Sequence, residues 1–199
     1  MADLYKTIKS KSEGQIREKM SRFISFAIPV TTVSEAKAAI KEYQNIYHDA
    51  RHVCWAYMLE PDRTLWLSND NGEPSGTAGK PILGQINSYE LTNILIIVVR
   101  YFGGIKLGTS GLIAAYRAAA KEAIDNAEIV EMHDMASLTV RFPYLAMNDV
   151  MRALKRSEAE IVSQVFDNSC EITLSIRKDH LDAIRQNLNN IDGTSMPTD

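Results

Sequence analysis

The stretch N-I-L-I-I-V-V, Asn93–Val99, runs directly into R-Y-F-G-G-I-K-L-G-T-S-G, Arg100–Gly111. An unbroken β-branched and aliphatic run of this length predicts a strand covered on both faces, although periodicity alone also fits a buried helical segment. Upstream lies N-D-N-G-E-P-S-G-T-A-G, Asn69–Gly79. Eight of the chain's ten glycines fall between Asn69 and Gly111: Gly72, Gly76, Gly79, Gly84, Gly103, Gly104, Gly108 and Gly111. Glycine allows positive φ and close backbone approach but weakens the interior of a strand or helix. Concentrated here, it predicts two tightly turned loops, on either side of one buried strand, that share a site.

Both loops lead towards a predicted helix. In the first, Asp70-Asn71-Gly72 forms a turn, Pro74 fixes φ, and Ser75 and Thr77 are placed to cap a helix from Ala78 to Ser88. A carboxylate on Glu73, hydroxyls on Ser75 and Thr77, and free backbone N–H groups at the helix start fit a small anion bound at Ser75 to Gly79. In the second, Arg100 and Lys106 supply charge, and Tyr101 or Phe102 a stacking surface. Gly103, Gly104 and Gly108 let the chain turn into a helix from about Ser110 to Asn126. A purely architectural loop, turning under packed aromatics, fits equally well. Neither G-x-x-x-x-G-K-[ST] nor G-x-G-x-x-G occurs, which argues against the two common nucleotide-binding loops.

His48-x-x-x-His52-x-Cys54 has zinc-like residue types, but it straddles a change from helix to strand, so the spacing does not hold the side chains together. No metal or cofactor is expected. The catalytic candidates are His52 as a proton shuttle and Asp70 or Glu73 as a base or metal ligand, in a hydrolase or phosphoester-processing scheme with Arg100 or Lys106 as anion clamps.

Outward from this centre, strands are predicted over Leu4–Ser10, Ile16–Met20, Phe23–Val30, Val53–Leu59 and Thr64–Ser68. Thr32-x-x-Glu35 opens a helix running to about Tyr47. Residues 126–132 read as a linker. A βαββα order then follows in Ser137–Phe142, Tyr144–Ser157, Ile161–Phe166, Cys170–Ile176 and Asp179–Asn190. The chain thus predicts an α/β protein of two domains, 1–130 and 131–192, each a sheet with helices on one side. Residues 193–199 form a disordered tail.

The 199 residues carry a formal net charge of −3, unevenly spread. Residues 1–126 hold 15 Lys and Arg against 13 Asp and Glu, and residues 127–199 hold 7 against 12. This argues against broad nonspecific nucleic-acid affinity while leaving room for a local basic face. No apolar run approaches the ~20 residues that span a bilayer. Two cysteines do not make a disulfide framework, so a cytoplasmic protein is expected.

The spacing Gly79-x-x-Ile82-Leu83-x-x-Ile86, with Leu91 and then Ile97-Val98-x-Arg100-Tyr101-Phe102-Gly103-Gly104-x-x-Leu107-Gly108, resembles the signature of the IMPACT/YigZ family. The loop Asp70–Gly79 matches the family's other hallmark. The resemblance implies a first domain like domain IV of elongation factor G and a small ferredoxin-like second domain. It also implies a non-catalytic, translation-linked regulator contacting the ribosome, RNA or a translation factor through the two loops, and it places His52 facing them. Arg51, Ser110 and Ala114 depart from the family's usual threonine, glycine and arginine.

Overall fold

The computed structural model describes residues 4–167 and 169–197 and divides into two compact units, the first ending at Met132 and the second beginning at His133. The first unit is built on a five-stranded antiparallel sheet. Its strands are β2 (Ser12–Glu18), β3 (Ser21–Pro29), β4 (His52–Leu59), β5 (Leu65–Asn69) and β6 (Ile94–Tyr101), in the order β2-β3-β6-β4-β5. The aliphatic run is the central strand β6, and Ile94 to Val99 are all fully buried.

Alternation along β6 splits its side chains between two cores. Ile94, Ile96 and Val98 join the core beneath α2 (Gly79–Ser88) and α3 (Gly108–Asp125). Leu95, Ile97 and Val99 join Phe26, Val53 and Tyr57 beneath α1 (Val33–Ile46). The expectation of helices on one side is therefore corrected for this unit. A strand apolar at every position must be covered twice, and α1 covers the second face. Thr32 caps α1 by accepting from the backbone N–H of Glu35, whose carboxylate reaches back to Thr31.

Two further expectations are corrected. The predicted linker contains strand β7 (Ile129–His133), which pairs with β1 (Leu4–Ile8) as a separate two-stranded sheet. Its short, largely exposed residues carry little of the burial signal from which a strand is read. The residues expected to be disordered are pinned at Ser195, which exchanges both backbone hydrogen bonds with Arg141 at 2.8 Å. Asp199 and the residue before it lie outside the described residues.

The second unit is an antiparallel sheet of β8 (Met135–Phe142), β9 (Glu160–Phe166) and β10 (Cys170–Arg177) in the order β8-β10-β9. Helices α4 (Met147–Lys155) and α5 (Leu181–Asn189) supply Val150, Leu154, Ile184 and Leu188 to its core. The chain is thus a mixed α/β protein. Among the described residues no helix is long and apolar enough to cross a membrane.

Candidate functional site

Register places the site. Phe23 on β3 and His52 on β4 both pair with Arg100 on β6, so the three residues stand in one row across the sheet. Arg100 follows Ile94, Ile96 and Val98 on the α2/α3 face, which takes a guanidinium under cover at the end of a hydrophobic strand. A buried arginine requires a counter-charge. Glu73, carried in by the loop after β5, supplies it: Arg100 Nη1 donates to Glu73 Oε1 at 2.7 Å.

The same oxygen accepts from Tyr116 on α3 at 2.8 Å. Burial above all, then the neighbouring Cys54 and Glu73, push the Tyr116 phenol well up, so it stays protonated and donates. Tyr116 packs edge-on against Phe23, with ring centroids 5.2 Å apart. Cys54 donates to the Asp70 carbonyl at 2.9 Å and lies 3.4 Å from the Tyr116 hydroxyl. His52 gives its Nδ1 hydrogen to the Asn71 carbonyl at 2.8 Å, leaving Nε2 3.8 Å from Glu73 Oε2. Strand, loop and helix thus meet at one buried carboxylate.

Asp70 organises the first loop. Its carboxylate accepts from the backbone N–H groups of Gly76, Ala78 and Gly79 at 2.8, 3.0 and 2.8 Å. Burial is the largest single influence and raises its pKa. The bonds from Gly76, Gly79 and Ala78, helped by the charge of Lys80, outweigh it and leave the acid below its ordinary value. The free N–H groups expected at this helix start are therefore corrected: the protein's own Asp70 takes three of them. Thr77 turns its hydroxyl to the Pro74 carbonyl, and Ser75 is exposed.

Above the Glu73–Arg100 pair is a cavity of about 430 Å³. Both loops reach it, the first through Gly72, Glu73 and Pro74 and the second through Phe102 and Lys106 to Thr109, with Arg51 and His52 between them. Of the predicted site residues, His52, Glu73, Arg100, Phe102, Lys106 and Gly108 line it. Asp70, Ser75, Gly76, Thr77, Gly79, Tyr101, Gly103 and Gly104 do not. Tyr101 points to the α1 face, donates to Asp49 at 2.8 Å and lies under Arg22. Gly103 packs on the β2–β3 hairpin, where a Cβ would fall 2.1 Å from the Met20 carbonyl. Sequence reasoning missed Arg51 as a lining residue, treated Tyr116 as core alone, and weighed Cys54 only as a metal ligand. One phenol among Ala115, Ala119 and Ala123 was the available signal, since a buried hydroxyl needs a partner.

Fold and site together define an α/β protein of two units, the first built round a buried ion pair beneath two glycine-rich loops. A family model for the Impact N-terminal domain matches residues 19–124. The chain is similar to the IMPACT family member YvyE of Bacillus subtilis (strain 168), 35% identical over 158 residues, which cover 79% of this chain and 73% of that protein. It is also similar to YigZ of Escherichia coli (strain K12), 34% identical over 147 residues, with coverage of 73% and 72%. A solved structure described as the crystal structure of an hypothetical protein matches with a TM-score of 0.77 at 25% identity, covering 100% of this chain and 98% of that one. The chain belongs to the IMPACT family.

Proposed function

We propose that this chain is a translation-linked binding protein without catalysis of its own, and that its first unit holds RNA over the cavity between the glycine loops. The observation that carries this reading is the convergence of both loops on one cavity bordered by Arg51, Lys106 and the half-exposed ring of Phe102. Cations that track phosphates, beside an aromatic face that accepts any base, are the usual components of a single-strand site. The β2–β3 hairpin tip lies beside the second loop, where it exposes Met20. Family membership supports the link to translation.

Glu73 speaks for binding over catalysis. Its Oε1 is held by two donors, Oε2 faces His52, and the side chain is 3% exposed. A general base needs a lone pair within reach of the proton that it removes. Here the carboxylate serves the fold.

The test is fluorescence anisotropy with a short labelled oligoribonucleotide across a salt series. Arg51→Ala and Lys106→Ala are each expected to weaken binding and to lower the salt slope by about one unit. Absence of binding at low salt, or binding that neither substitution changes, overturns the reading. Affinity recovery from cell extract, with and without ribonuclease, addresses the translation link. Ribosomes lost on nuclease treatment fit RNA contact, and ribosomes or translation factors retained in both arms point to a protein partner instead.

A further inference from the structure

Arg100 lines the cavity and carries a donor that the fold does not use. Arg100 is 6% exposed, gives Nη1 to Glu73, and has no acceptor for Nε. Nη1 lies on the Cδ side of a guanidinium, so the edge turned away from this bond is the Nε–Nη2 fork. That edge matches two oxygens of one phosphate or carboxylate side by side. A buried N–H left without an acceptor is rare in folded proteins and calls for an explanation.

The second glycine loop adds an independent feature. Helix α3 runs for 18 residues, and no side chain caps its start. Lys106, Gly108 and Thr109, at that start, line the cavity. A helix of this length offers unsatisfied backbone N–H groups and the positive end of its dipole. The contrast with α2 is direct, because Asp70 already fills that helix start.

Charge narrows the ligand. The cavity is lined by three permanent cations, Arg51, Arg100 and Lys106, against one carboxylate, Glu73. Apart from His52, the lining thus has an excess of two cationic groups. An internal phosphodiester brings one negative charge, whereas a terminal phosphomonoester brings close to two at neutral pH. The cavity is also of a size that encloses a small ligand.

We propose that this cavity binds a terminal phosphomonoester, seated on the free edge of Arg100 and the start of α3, with Arg51 and Lys106 closing over it and Phe102 facing the first base. The inference rests on the RNA reading above and makes it specific for a chain end.

The experiment compares one oligoribonucleotide in three forms: 5′-phosphorylated, 3′-phosphorylated, and hydroxyl at both ends. One phosphorylated form is expected to bind about tenfold or more tightly than the hydroxyl form. Inorganic phosphate is expected to compete with it. Arg51→Ala and Lys106→Ala alter exposed side chains and are expected to erase the preference, while Lys80→Ala, outside the cavity, preserves it. Arg100→Lys keeps the charge facing Glu73 but loses the fork, so it is expected to erase the preference too. Should that variant not fold, the two exposed variants decide the matter alone. Equal affinity for all three oligomers overturns the chain-end inference and leaves RNA binding standing. If no oligomer binds but inorganic phosphate raises the thermal midpoint of the wild type and not of Lys106→Ala, the phosphate site stands and the RNA reading falls. No response to any probe overturns both.

Discussion

Arg100 and Glu73 lie 27 residues apart in the chain and 2.7 Å apart in the fold, both almost wholly buried. The pair joins the central strand to the first glycine loop. Through Tyr116 it also reaches α3, so strand, loop and helix meet at this pair.

Removing one partner should therefore cost more than removing both. Glu73→Ala leaves a buried guanidinium uncompensated and is expected to lower stability by about 3 kcal/mol. Glu73→Leu combined with Arg100→Met is expected to recover most of that loss. Both tryptophans, Trp55 and Trp66, lie in the first unit, so urea unfolding followed by tryptophan fluorescence reports on it. A double variant as unstable as the single one would show that the pair's geometry, and not its charge balance, holds the loop.

Asp70 gives a pH-dependent counterpart. Its native contacts hold it below its ordinary value, so its ionised form stabilises the fold above the unfolded-state value of about 3.9. That contribution is lost as pH falls through the lowered native value. Asp70→Asn is expected to be less stable than the wild type by about 1–2 kcal/mol at pH 7. The gap should close in acid as the wild-type carboxylate takes up its proton. Unfolding midpoints at pH 7 and stepwise below pH 4 make the comparison, and a gap that stays constant throughout would contradict the assignment.

Much of this frame is legible in the chain. The run Ile94–Val99 admits few homes other than the middle of a covered sheet, and Thr32-x-x-Glu35 marks the start of α1 through local hydrogen bonds. The site is less legible because its contacts are long-range. Nothing in spacing pairs Glu73 with Arg100, or brings Tyr116 over both. Asp70 and Glu73 read alike as loop carboxylates, yet one binds backbone N–H groups and the other a buried cation. The pinning of Ser195 by Arg141 escaped for a similar reason, since backbone bonds leave no side-chain pattern.

The cysteines test how tightly this region is closed. Burial above all pushes the Cys54 thiol up to about 12, and Cys170 is likewise buried. Burial closes both thiols to reagent and Cys54 is also held protonated, so neither is expected to react with Ellman's reagent in the native protein at pH 8, and both should do so in guanidinium. Glu73→Ala, by loosening the loop whose Asp70 carbonyl holds Cys54, should raise the reaction rate at one thiol. Rapid reaction of the native wild type would mean that the loop opens freely.

Two glycines should respond with opposite signs. At Gly103 an added Cβ would meet the Met20 backbone at 2.1 Å, which no side-chain rotation relieves. The hairpin turn there already places Lys19 and Met20 at positive φ, which leaves the tip little freedom to retreat. Gly103→Ala is expected to destabilise the first unit by about 3 kcal/mol and to weaken RNA binding by displacing the loop that carries Lys106. Gly84 lies inside α2, where a Cβ meets nothing within 4 Å. Gly84→Ala therefore removes backbone freedom from the unfolded chain without a clash and should stabilise by about 0.5–1 kcal/mol. Urea midpoints read by tryptophan fluorescence compare the two directly. A neutral Gly103→Ala would show that the hairpin and the second loop move independently.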